Sequence, residues 1–96
     1  MMIINLRTVD TKDAFHMTMK RELGFPQWYG VSWDAFWDAI IAVVEMPDCV
    51  VLQHWQAFAR ACPHDMAILR DIIANYPREK PGKQFLLALQ QSWQRG

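Results

Sequence analysis

Three short apolar runs, Met2 to Leu6, Cys49 to His54 and Gln84 to Leu89, punctuate a chain whose intervening segments have helical periodicity. The first reads as a strand. The second is too β-branched and too short for a helix, and the third suits a last buried strand, although its Leu and Ala also permit a helix. Between the first two runs, Phe15, Met19 and Leu23 fall at i, i+4 and i+8 on a helix from about Lys12 to Leu23, with Gly24 at the left-handed cap and Pro26 beyond it. Ser32 is a good N-cap for a second helix from Trp33 to about Glu45, which Met46-Pro47-Asp48 breaks. Trp55 to Ala61 reads as a short helix ended by Pro63. Asp65 can cap another, whose Met66, Leu69, Ile72 and Ile73 make one apolar stripe and which Tyr76-Pro77 ends, and Arg78 to Lys83 reads as a polar, solvated turn. The order β, α, α, β, α, α, β predicts an α/β fold with a small parallel sheet and right-handed crossovers.

Ninety-six residues with 52% hydrophobic composition suffice for one domain, residues 1–96, with a real core. The longest aliphatic run, Ala39 to Val44, is far short of the roughly 20 residues that cross a bilayer, and the start lacks a basic signal region, so a cytoplasmic location is expected. Cys49 and Cys62 have no CxxC spacing and read as free thiols. His16, His54 and His64 lie on different elements without metal-ligand spacing and read as packed or solvated. Ser92 lies in no nucleophile elbow and the glycines form no phosphate loop, so neither an enzyme nor a cofactor is expected.

The net charge is zero, but residues 22–59 hold five acids and no Lys or Arg, while the flanking segments are basic. At about 100° per residue, Asp34, Asp38 and Glu45 form one stripe along the second helix, with Trp37 and Ile41 on its border. Asp34 gains from the helix macrodipole in the first turn. Asp38 lies beyond that turn, four residues after another acid, and no base at 35, 41 or 42 relieves it. Trp28 and Tyr29 precede the helix between Pro26 and Gly30, where large aromatics are hard to hide and suit a rigid contact patch. Such an acidic, aromatic surface repels phosphates. It suits a protein that itself binds phosphates.

The stretch Phe25-Pro-Gln-Trp-Tyr-Gly-Val-Ser-Trp-Asp-Ala-Phe-Trp-Asp38, followed by Val44-Glu-Met-Pro47 and a hydrophobic strand, resembles the barstar family of intracellular ribonuclease inhibitors. The close match runs from about Glu22 to Trp55, with Tyr29-Gly30, Asp34-Ala35, Trp37-Asp38, Glu45 and Pro47 in order and spacing. The resemblance implies a three-stranded parallel sheet packed with about four helices, and a cytoplasmic immunity protein, monomeric when free, whose partner is a basic bacterial ribonuclease rather than nucleic acid or membrane. It implies a contact surface of Trp28, Tyr29, Gly30, Asp34, Ala35, Trp37, Asp38, Ile41, Ala42 and Glu45. In it Asp38 is the central anchor in the target's phosphate site, Asp34 a second acid, Tyr29 and Trp37 aromatic contacts and Glu45 a peripheral acid. The resemblance also admits a cis bond between Met46 and Pro47. The chain departs from the family pattern in having Trp28 for a Tyr, and Ile41-Ala42-Val43 for a segment ending in Trp. It has no clear equivalent of a late acid near Ala74 and Asn75, and Asp71 lies a turn too early to inherit that role. A second reading is an interaction module of the same fold that binds another basic protein or itself, through the less polar Ile41 and Ala42.

Overall fold

The computed structural model describes residues 1–89. Its elements are β1 (Met2–Asn5), α1 (Lys12–Leu23), α2 (Trp33–Asp38), a π turn (Ala39–Val43) continuing α2, β2 (Cys49–Gln53), α3 (Gln56–Ala61), α4 (Pro63–Glu79) and β3 (Gln84–Leu87). The strands lie in the order β1-β2-β3, all parallel, with Ile3 beside Val51 and Val51 beside Leu86. The third apolar run is therefore a strand, not a helix, and it is shorter than its sequence suggests.

One face of this sheet makes the core. Ile4, Val50, Leu52 and Phe85 point into it and are buried against the helices. Phe15 of α1 holds the centre, its ring 5.1 Å from Phe58 and 5.6 Å from Phe36. Among the described residues, no helix covers the opposite face. Ile3 is 49% and Leu86 43% exposed, and the rows beside them, Asn5 with Gln53 and Cys49 with Gln84, carry no charge. Neighbouring parallel strands joined by crossovers of one hand, with no reversal of strand order, place the helices between them on the same side, so the described residues form two layers instead of three.

Local chemistry sets the element ends. Thr11 caps α1 by accepting from Ala14 N at 3.0 Å, and Gly24 closes it at φ 72°, a conformation glycine adopts without a Cβ penalty. Ser32 Oγ accepts from Ala35 N at 3.0 Å and starts α2. Both ends of α4 differ from the sequence reading. Helix α4 begins at Pro63, whose missing N–H costs nothing in a first turn, so Asp65 is freed from capping. It also runs through Pro77 to Glu79, because a proline in the last turn removes only one intrahelical bond while Lys80 N still reaches Tyr76 O.

Candidate partner-binding surface

The segment between α1 and α2 is folded by short-range bonds, Tyr29 N to Pro26 O and Ser32 N to Gly30 O, both 3.0 Å. This turn sends its two adjacent aromatics in opposite directions. Trp28 is 74% exposed, whereas Tyr29 is 8% exposed, so most of the Tyr29 ring is turned inward. The ring packs on Phe25 at 4.7 Å, and its hydroxyl lies 2.6 Å from Nδ1 of His16. His16 is fully buried, 4.7 Å from the Trp33 ring, and its Nε2 has no partner among the described residues. Burial, aided by the nearby charge of Lys12, pushes its pKa down to about 4 against the opposing pull of Asp65 and Asp13. Burial likewise raises the Tyr29 phenol well above its usual range. The buried pair ties the loop that presents Trp28 to the middle of α1.

On α2, Asp34 and Asp38 are exposed one turn apart and make no ion pair with any described residue. Ala35, Trp37 and Ile41 are half-buried against the core, while Gly30 and Ala42 are exposed. Trp33 Nε1 donates to Asp65 Oδ1 at 2.9 Å, pinning α2 to the start of α4.

Beyond Asp38 the acidic stripe does not continue. Val44 N reaches Ala39 O, an i to i+5 bond, so the helix widens into a π turn, and Val44 itself is extended. Stepping by 100° per residue fails there, and Glu45 lies past the helix end. Its carboxylate is 3.5 Å from Nζ of Lys83, and that of Asp48 is 3.6 Å from the same nitrogen. Lys83 also donates to the carbonyl of Met46, and its side chain is only 23% exposed, so it is not the solvated turn residue that its neighbours in sequence suggest. The fold thus supplies a base from outside the base-free block. The peptide bonds of the described residues are all trans, Met46–Pro47 included. Because both carboxylates are almost fully exposed, the carbonyl bond carries most of the stabilisation. A Lys83→Met variant is expected to lose about 1 kcal/mol in urea unfolding.

Beside α2 runs an open groove of about 480 Å³ whose other wall is α4. Trp33, Trp37, Ile68 and Ile72 give it apolar lining, and Asp34, Asp71 and Glu79 bring carboxylates, with Asn75 and Arg78 between them. The fold therefore places Asp71 beside the acidic helix, although its place in the sequence argues against the role. Residues 68, 71, 72, 75, 78 and 79 repeat at i, i+3, i+4 and i+7, the signature of one helix face, which ending the helix at Pro77 conceals.

Residues 1–90 match the family model described as Barstar (barnase inhibitor). The chain belongs to the barstar family. The three parallel strands and four α-helices of the described residues are the barstar architecture. The chain is also similar to a Bacillus subtilis (strain 168) protein named "Putative ribonuclease inhibitor YrdF", at 33% identity over 54 residues. That match covers 56% of this chain and 59% of the relative's length. Among the described residues, no helix is long and apolar enough to cross a membrane.

Proposed function

We propose that this barstar-family protein inhibits a bacterial ribonuclease by covering its phosphate-binding site with Trp28, α2 and the groove along α4. The observation that carries this reading is the pair Asp34 and Asp38, exposed one helical turn apart without a counter-charge among the described residues. Two like charges at i and i+4 cost a few tenths of a kcal/mol in the free protein. An enzyme that cleaves RNA holds Arg, Lys and His around the scissile phosphate, and that cationic field repays the cost on contact.

In this arrangement Asp38 takes the place of a substrate phosphate, offering negative charge and acceptor oxygens. Asp34 adds to the field, and Trp28 and Trp37 exclude water so that each charge pair strengthens. Tyr29 acts from below, by holding the loop. Gly30, Ala35, Ile41 and Ala42 shape the surface, and Glu45, already shared with Lys83, stays at its edge. No catalytic group is required of the inhibitor. It works in the cytoplasm, as an immunity protein that is monomeric when free and protects the cell's RNA from a toxin.

Titrating the chain into RNA-cleavage assays of barnase, and of any small basic ribonuclease encoded beside it, tests the reading. Stoichiometric loss of activity of at least one is expected, and undiminished cleavage by both at micromolar inhibitor would overturn it. The association rate is expected to fall at least about ten-fold between roughly 50 and 500 mM salt, because steering by exposed charges is screened. A rate that is flat with salt points instead to a surface recognised by its apolar groups.

A further inference from the structure

The groove between α2 and α4 contains one feature that an acidic, phosphate-mimicking surface does not require. Arg78 lines it together with Asp34, Asp71 and Glu79, is exposed, and makes no ion pair with any described residue. A guanidinium that lines a groove together with three carboxylates can fold back on one of them, since its planar fork matches a carboxylate. Here it is left available on the same wall as Asp71 and Glu79, facing the α2 wall that carries Asp34. Against a target that is cationic throughout, this charge opposes docking, and against a target with an acid at that point it completes a pair.

We infer that Arg78 is a specificity-determining residue of this surface: it accepts ribonucleases that set a carboxylate opposite the carboxyl end of α4 and rejects those that set a cation there. The inference rests on the ribonuclease-inhibitor reading and deepens it. Discrimination by a placed repulsive charge needs no loss of the central anchor, so Asp38 supplies the common attraction and Arg78 sorts among targets. Arg78 also suits the last turn of α4 electrostatically, a structural role that acts on folding and not on the choice of partner.

Barnase, the ribonuclease named in the family's description, serves as the probe. Its affinity is measured for the wild type, Arg78→Ala, Arg78→Glu, Asp38→Ala, and Arg78→Glu combined with Asp38→Ala, together with urea midpoints. Arg78→Glu is expected to bind barnase at least ten-fold more tightly than the wild type, with Arg78→Ala between them. The gain should shrink as salt rises from about 50 to 500 mM, while the urea midpoint of Arg78→Glu falls slightly because the last turn of α4 loses a favourable cation. An Arg78→Glu variant that binds no more tightly than the wild type, including the case in which neither binds, overturns the inference, as does a gain that does not shrink with salt. If the gain survives Asp38→Ala, the acidic-helix reading falls while Arg78 keeps its role. If Asp38→Ala abolishes binding and Arg78→Glu changes nothing, only the role of Arg78 falls.

Discussion

Replacing Asp38 with alanine is expected to weaken binding to the target ribonuclease by at least about 2 kcal/mol, roughly thirty-fold, while leaving the free protein as stable as before or slightly more so. The two halves of this result have separate causes. Asp34 sits in the first turn of α2, where the macrodipole favours an acid, so removing it costs the fold something as well as the interface. Asp38 ends α2 and makes no ion pair with any described residue, and its nearest charged neighbour along the helix is the like charge of Asp34. Taking it away relieves a repulsion of a few tenths of a kcal/mol in the free state and removes the anchor from the complex. Calorimetric titration and urea unfolding of the same variant read the two effects independently. Unchanged affinity removes Asp38 from the centre of the mechanism, and a large fall in stability shows that it serves the fold.

Stability should also fall on mild acidification, and His16 is the main reason. In the folded chain its pKa lies near 4, against the ordinary 6.5 that the unfolded chain restores. Between those values the unfolded state binds a proton that the folded state refuses. The contribution of His16 is therefore intact above about pH 6.5 and is lost as the pH falls toward 4, at up to about 1.4 kcal/mol per unit and about 3 kcal/mol in all. Carboxylates titrate in the lower part of the same window, so the comparison is made with a variant carrying both His16→Phe and Tyr29→Phe, which replaces each member of the buried hydrogen bond by an apolar ring. The stability gap between the wild type and this variant should shift in the variant's favour by about 3 kcal/mol from pH 7 to pH 4. Parallel pH profiles for the two proteins would show that His16 does not stay neutral in the fold.

Much of this structure is legible in the chain, and the parts that are not share a cause. The strands follow from β-branched or apolar runs, and Gly24 and Ser32 mark helix ends through backbone chemistry that acts within a few residues. Asp34 and Asp38 share a face because a single turn of helix is enough to put them there. The placement of Glu45 required the same geometry to persist for another two turns, and nothing in Ala39-Ile-Ile-Ala-Val43 announces that its bonds shift to i+5. The direction of Tyr29 depends on a histidine one helix earlier, and the partner of Glu45 and Asp48 comes from the turn just before β3. Pro77 reads as a stop because proline removes a hydrogen bond, but α4 is already ending and loses little. The groove wall that follows from those last residues is hidden with it.

The outer face of the sheet, which no described helix covers, gives the molecule a handle. Cys49 lies on that face, half-buried beside Gln84, on the side away from the helices. The other thiol, Cys62, has its pKa raised by burial and by the carboxylates of Asp65 and Asp10, which lowers its thiolate fraction and slows its reaction with a coupling reagent. Coupling through Cys49 to a bead or sensor chip would therefore hold the protein by its back, with Trp28, Asp34, Asp38 and the α4 groove all turned toward whatever flows past.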